Sequence, residues 1–176
     1  MRIERSALPV IALTLLVCVA HAEDVPKADV AVGYSGMWVG KGYTFWLQGV
    51  GVSVTANVNS SLGLVADFAA HHADPGVKLN TETYMFGARY SYLHSSGVNA
   101  FAQALIGGLH ASAATTGFTN ASDAFAFGAG AGAELALGSQ ERLLLRSQVD
   151  WLNFSAKGST TGVVRLSLSV VFRMGK

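Results

Sequence analysis

The sequence predicts an all-β protein: an eight-stranded antiparallel up-and-down transmembrane β-barrel. Hydrophobic residues make up 51% of the chain and charged residues only 13%, against roughly 25% charged in ordinary soluble proteins. Downstream of residue 22 no apolar run reaches the roughly 18 residues that a membrane-spanning helix needs. Eight segments nevertheless alternate between apolar and small or polar residues. An apolar chain without such a helix crosses a membrane as a closed barrel.

The first residues predict export. Two arginines precede an almost unbroken apolar stretch over residues 7–20, and Ala20 and Ala22 form an A-x-A cleavage site. This arrangement is typical of a secretory signal peptide, and the stretch is shorter than the roughly 20 residues of a spanning helix. The predicted domains are therefore a signal peptide over 1–22 and an outer-membrane β-barrel domain over 23–176.

The charge balance after cleavage excludes strongly charged partners. Loss of Arg2, Glu4 and Arg5 lowers the basic residues from 12 to 10 and the acidic residues from 11 to 10, so the exported chain is formally neutral. A neutral chain lacks the basic excess that nucleic-acid binding requires. Cys18 lies in the signal peptide, so the exported fold does not rely on disulfides.

Period-two alternation places eight strands along the chain. In the second, Trp46 and Val50 share one face and Gly49 lies on the other; in the last, Leu168 opposes Arg165. The fifth is too uniformly Ala, Leu and Gly for its faces to be assigned. The predicted strands cover residues 29–39, 45–57, 61–71, 82–93, 98–111, 124–137, 142–153 and 162–173.

The connections between these strands alternate in length. Residues 57–61, 94–97 and 138–141 form tight turns, whereas 37–44, 72–81, 111–123 and 153–161 are longer and rich in Gly, Ser, Thr, Asn and Lys. Outer-membrane barrels have short periplasmic turns and longer external loops. An even strand number puts both termini on the turn side.

The period alone leaves two orientations open, because a soluble lipocalin-like barrel also alternates, with its apolar face inward. The polar face of this chain is mostly Gly, Ala and Ser, whereas faces in bulk water carry more charged residues. Small side chains suit the lumen of an eight-strand barrel, which is only just wide enough for side chains to fill. We therefore expect the polar face inside and the apolar face against lipid.

Six charged residues then point into the lumen: Asp67, Arg89, Glu134, Arg146, Asp150 and Arg165. Counted from the turns, they lie at similar heights. Pairing of the sixth and seventh strands places Glu134 nearly opposite Arg146, and Asp67 and Arg89 lie on adjacent strands. Confined charges must be paired to be tolerated, so we expect an ion-pair network that plugs the lumen. Acid–base catalysis is the competing interpretation, but the sequence implies no pocket for it.

Seven aromatic residues are expected to form two interfacial girdles, where amphipathic rings lie at the level of the lipid headgroups. Those at the loop ends of their strands are Trp38, Trp46, Tyr84 and Trp151, and those at the turn ends are Tyr90, Tyr92 and Phe172.

With these segments the chain resembles the small eight-stranded outer-membrane barrels, such as the membrane domain of OmpA, OmpX and the opacity-type proteins. The resemblance covers 29–173 and rests on DVAVGYSGMWVG, GLVADFAAHH, FAFGAGAGAELAL, LLLRSQVDWL and RLSLSVVF. It implies insertion by the barrel assembly machinery, which reads an alternating last strand ending in an aromatic residue. Phe172 resembles that residue, although Arg-Met-Gly-Lys follows it.

One catalytic arrangement has a counterpart in a similar barrel, the lipid A deacylase, which uses a His-x-Ser pair with a carboxylate. Here His110 and Ser112 would share a strand face, with Asp123 across the hairpin. The surrounding residues are unlike those of that enzyme and no oxyanion donors are evident. His71 and His72 do not suggest a metal site, because neighbouring residues on a strand point in opposite directions.

The expected protein is thus a non-enzymatic barrel of the bacterial outer membrane with a structural or surface-interaction role. We expect a monomer without cofactor or metal, in contact with outer-membrane lipid and lipopolysaccharide and with the assembly machinery, but not with nucleic acid. A narrow porin-like channel, a lipid A-modifying hydrolase and a soluble periplasmic barrel remain the alternatives.

Overall fold

A computed structural model describes residues 27–41, 43–74, 78–95, 97–115, 118–138, 142–156 and 158–175. The predicted signal peptide lies outside these residues. Eight β-strands cover most of the described chain: β1 (Ala28–Lys41), β2 (Tyr43–Asn57), β3 (Leu62–Ala73), β4 (Lys78–Ser95), β5 (Val98–Thr115), β6 (Phe118–Ala136), β7 (Leu143–Ala156) and β8 (Ser159–Met174).

The strands form one closed antiparallel barrel in sequence order, with β1 also paired to β8. The predicted fold class, strand number and up-and-down order are confirmed. Both described chain ends lie at one end of the barrel, which we call the turn end; the opposite end is the loop end. Among the described residues no helix is long and apolar enough to cross a membrane.

The register sets how far the strands stagger around the barrel. A row of paired residues that starts at Trp46 on β2 passes through Trp38 and all the other strands. It returns to β2 at Ala56, ten residues from its start. Such a stagger tilts the strands, and with eight strands it leaves a lumen that side chains fill.

The strands are longer than predicted at the loop end. Segments expected to be loops largely continue as paired ribbons: Lys41 pairs with Tyr43, and Ala114 pairs with Thr119. The sequence signal fails there because a ribbon beyond the membrane has solvent on both faces and needs no apolar alternation. Backbone pairing and the strand preference of Thr maintain it instead.

The outer wall of the barrel is apolar. Large hydrophobic side chains point outward from every strand, among them Val50, Ile106 and Trp151, each more than 60% exposed. Soluble monomers rarely expose so continuous an apolar surface. The prediction that the polar face points inward is confirmed, and the soluble lipocalin-like orientation is wrong.

The lumen is divided into two layers, which the sequence did not predict. Its loop-end half is apolar: Met37, Leu47, Met85, Leu105 and Leu152 belong to one buried cluster. The charged and amide side chains lie nearer the turn end, around a small apolar cluster of Ala31, Leu144 and Val171. The expectation of an interior of small and polar residues therefore holds for only part of the lumen, because side chains from opposite walls can pack on one another in so narrow a barrel.

Arginine in place of an outward leucine tests the membrane-facing wall. On β8, Leu168 lies midway between Val164, the partner of Trp38, and the turn end of the strand. Leu168→Arg should therefore destabilise the barrel in lipid by about 2–4 kcal/mol. Thr160→Arg, near the loop end of the same strand, should cost less than about 1 kcal/mol. Urea unfolding in lipid vesicles measures both. Equal losses would contradict the assignment of the wall.

Candidate functional site

Six charged side chains meet in the lumen, and they are the six that the alternation pointed inward. All are buried; Asp150, Glu134, Arg165 and Arg146 are exposed by 2% or less. Alternate residues of each strand face the lumen, so closure of the barrel brings charged side chains from five strands to one place. The result is two clusters joined by one amide.

Arg165 organises the cluster nearer the loop end. Its Nη1 donates to Asp67 at 2.6 Å, and its Nε and Nη2 donate to Asp150 Oδ2 at 3.0 and 2.9 Å. Gln148 donates to the same Asp150 oxygen at 2.8 Å. One guanidinium therefore serves two carboxylates on opposite sides of β8, a charge-assisted geometry suited to arginine.

Glu134 organises the cluster nearer the turn end. Its Oε1 accepts from Arg146 Nε at 2.8 Å and from Arg89 Nη1 at 3.4 Å. Its Oε2 accepts from Arg173 Nη2 at 3.1 Å and from Asn99 at 3.0 Å. The expected Glu134–Arg146 contact is present. Asp67 and Arg89, although on adjacent strands, belong to different clusters.

Gln103 joins the two clusters. Its Oε1 accepts from Arg89 Nη2 at 3.0 Å, and its Nε2 donates to Asp150 Oδ1 at 3.0 Å. A side-chain amide can do this because it is donor and acceptor at once. The polar side chains thus form one connected network across the barrel.

The network is balanced in charge once two more residues are included. Asp29 and Arg173, at the turn end of β1 and β8, lie 3.6 Å apart at Oδ1 and Nε. Together with the six predicted residues they give four carboxylates and four guanidinium groups. Buried charge is tolerated when it is paired in this way.

Glycines on β6 make room for the network. A Cβ at Gly130 would overlap the Asp150 carboxylate, and a Cβ at Gly132 would overlap the Phe101 ring. That ring lies 4.0 Å from the Arg89 guanidinium carbon, a cation–π distance. The alternating glycines are therefore packing residues of the inner face.

Several network residues were missed from the sequence. Gln103, Asn99 and Phe101 lie on the fifth strand, whose faces could not be assigned. Asp29 lies an even number of residues from the inward-facing Ala31, and Arg173 lies an even number from the inward-facing Arg165. Period-two alternation along β1 and β8 would therefore have identified both residues as inward-facing.

The seven aromatic residues expected at the membrane interfaces all point outward and are 39–64% exposed. Trp46, Trp38 and Trp151 lie in one register row, interrupted on β8 by Val164. Trp46 Nε1 also donates to the Tyr34 hydroxyl at 3.0 Å. Their depth in a bilayer stays a prediction.

The weak catalytic candidates lie on the outer face near the loop end. His110 Nδ1 and Asp123 Oδ1 are 2.7 Å apart, with side chains 45% and 78% exposed. Within the described residues no hydrogen bond joins Ser112 to His110, so the structure brings together only two of the three weak candidates. The pair is exposed rather than enclosed, unlike a nucleophile–base site.

Neither histidine of the adjacent pair belongs to a metal centre in the described part of the chain, where no group of three or more His, Cys, Asp or Glu could hold an ion. His71 is buried in the lumen and its Nε2 lies 2.9 Å from Ser35 Oγ. His72 points outward, with Nδ1 2.8 Å from Asn80 Oδ1. The two rings point apart, as expected.

Solved structures of small outer-membrane barrels have this fold. Neisserial surface protein A shares 13% identity at a TM-score of 0.72, over 84% of this chain and 97% of that one. Ail of Yersinia pestis, in complex with the heparin analogue sucrose octasulfate, shares 15% at 0.62, over 84% and 97%. OprG of Pseudomonas aeruginosa shares 9% at 0.63, over 85% and 96%. No protein-family model and no curated protein matches the sequence.

Truncation of a network arginine should weaken the barrel strongly. Arg146→Ala leaves Glu134 with incomplete pairing in a buried site, and we expect a loss of about 3–5 kcal/mol. The loss should appear as earlier conversion to the unfolded mobility on heated gels. Arg142→Ala, which removes an exposed arginine at the turn end, should change stability by less than about 0.5 kcal/mol. Unchanged heat stability of Arg146→Ala would count against the network.

The exposed histidine pair has a measurable titration. His110 lies two residues nearer the loop end than Gly108, the partner of Tyr84, and so beyond the predicted outer aromatic girdle. The hydrogen bond to Asp123 raises the pKa of His110, and the nearby charges of Asp123 and Glu82 raise it further. Asp123→Asn should lower that pKa in an NMR titration, because the carboxylate that stabilises the imidazolium is gone.

Asp74→Asn, which removes a different exposed carboxylate, is the control and should leave the His110 titration unchanged. An Asp123→Asn variant with the wild-type His110 pKa would show that the pair does not form in solution.

Proposed function

We propose that this chain is an outer-membrane barrel with a structural or surface-interaction role, closed at mid-height by its ion-pair network. The fold of small outer-membrane barrels and the exposed apolar wall support the membrane location. Lipid and lipopolysaccharide would contact that wall, and the alternating β8 ending near Phe172 suits recognition by the barrel assembly machinery. Closure of all backbone pairing within one chain is compatible with a monomer.

The observation that carries the closed lumen is the fully connected network. Arg165 donates hydrogen bonds to side chains on opposite walls, and Glu134 accepts them from opposite walls. An ion passing through the lumen would therefore have to separate several buried pairs. Breaking a buried pair costs several kcal/mol because the remaining charge is left uncompensated.

A surface role would be exerted at the loop end, where the paired ribbons extend past the aromatic row. The strands and connections at the loop end carry Lys41, Asp74, Lys78, Glu82, Asp123 and Lys157, three acids and three bases. Ail was solved in complex with a sulfated heparin analogue, sucrose octasulfate. The balanced charge of the loop end of the present chain favours a neutral partner over a polyanion, because a polyanion requires an excess of basic residues on the surface that it meets.

An enzymatic role is not part of the proposal. The His110–Asp123 pair is exposed and without the serine, and a hydrolase needs the nucleophile, base and oxyanion donors together. Incubation of the folded protein with radiolabelled lipid A should leave the lipid unchanged. Release of an acyl chain would overturn this part of the proposal.

Conductance in planar lipid bilayers tests the closed lumen. The wild-type protein should show no regular current steps, whereas Glu134→Ser/Arg146→Ser should conduct, because it removes one acid and one base from the network while keeping the lumen neutral. Ser147→Ala, next to Arg146 on the outer face, is the matched control and should stay closed. Discrete steps from the wild type would favour the narrow passive channel instead.

A further inference from the structure

A cavity of about 430 Å³ lies inside the barrel at its loop end, above the ion-pair network. Its lower wall consists of large apolar side chains, among them Met37, Leu47, Leu109 and Phe154. Its upper wall, nearer the loop ends of the strands, consists mostly of small residues such as Ala113 and Ser122, whereas Ala124 lies beside Leu109. The large side chains close the cavity on the side of the network, and the cavity opens toward the loop end. We call this cavity the cup.

The described lining of the cup is uncharged. Alongside its apolar residues the cavity carries several hydroxyl and amide groups, among them those of Thr81, Asn120 and Ser122, and none of its described lining residues is charged. An uncharged lining disfavours ionic ligands, because an ion would lose hydration without gaining a partner. Its size falls within the roughly 300–1,000 Å³ of ordinary small-molecule sites.

One polar group in the wall has an unmet hydrogen-bonding demand. Thr81 Oγ1 is buried without a hydrogen-bond partner among the described residues. Buried hydroxyls are normally paired, and an unpaired one costs free energy. The Thr81 hydroxyl is turned away from the cup, and rotation of the side chain about χ1 would present it to a ligand that carries one hydroxyl at the end of an apolar body. The rest of the ligand would pack against the large apolar side chains.

We propose that this cup is a binding site for a small uncharged amphiphile, an apolar body with a single hydroxyl. The ligand enters from the loop end and does not cross the barrel, since the network lies beneath it. The inference goes beyond the proposed structural role and does not depend on it: binding is measured at the cup, and conductance at the network.

1-Naphthol is the probe, and the full exported chain in nanodiscs of deuterated phosphatidylcholine is the sample. Methyl-labelled methionines report its location, because Met37 lines the cup whereas Met174 is exposed on the outer face at the turn end. Saturable shifts of the Met37 methyl with an unchanged Met174 are expected. Equal shifts of both would mean partition into lipid and would overturn the proposal, as would no shift at Met37.

Two alanines of β6 provide matched variants. Ala124 lines the cup, and Ala129 points outward from the same strand. Ala124→Phe should fill the cup and weaken naphthol binding at least about tenfold, whereas Ala129→Phe should leave it within about twofold. Both must keep the heat-modifiable mobility of the folded barrel. Equal affinities of the two folded variants would overturn the site.

Two further probes test the ligand class. 1-Naphthalenesulfonate, the same ring system with a charge, should bind at least about tenfold more weakly than 1-naphthol. Thr81→Val should weaken naphthol and leave naphthalene unchanged, because only naphthol has a hydroxyl to pair. Equal binding of the sulfonate would overturn the uncharged class, and an unaltered affinity of Thr81→Val for naphthol would overturn the role of the hydroxyl.

Discussion

Closure of the sheet through the β1–β8 pairing is the constraint on which the rest of the structure depends. It gives every strand two neighbours, so no backbone edge faces lipid, where unpaired amides would be costly. Closure also separates two environments, because side chains alternate between the wall's faces. The row of paired residues around the barrel returns to β2 ten positions from its start. With eight strands this stagger leaves a lumen narrow enough for side chains from opposite walls to touch.

That narrowness explains why the buried charges occur in a connected set. Arg165 reaches Asp67 and Asp150 from β8, and Gln103 spans the gap between the two clusters. Glycines rather than larger residues stand on β6 where Asp150 and Phe101 need space. A wider barrel would leave these groups to water, and a narrower one would exclude them.

The division of the lumen into an apolar half and a charged half gives the molecule two distinct regions. The charged half joins the walls by directional contacts and supports closure, whereas the apolar half is less completely filled and contains the cup. The outer surface is divided differently, by height: an apolar wall between aromatic rows, and polar ribbons beyond it at the loop end. Lumen closure, surface contact and ligand binding, as proposed above, would thus use separate parts of one barrel.

The sequence by itself determined the number and order of the strands, the polar-inward orientation and six of the network residues, because period-two alternation is a local property that burial on one face enforces. It did not determine the strand ends beyond the membrane, where both faces of a ribbon meet water. Gln103 and the apolar cup needed the tertiary structure. Which side chains meet across a lumen depends on stagger and closure, and these bring together residues such as Asp67 and Arg165 that are far apart in the chain.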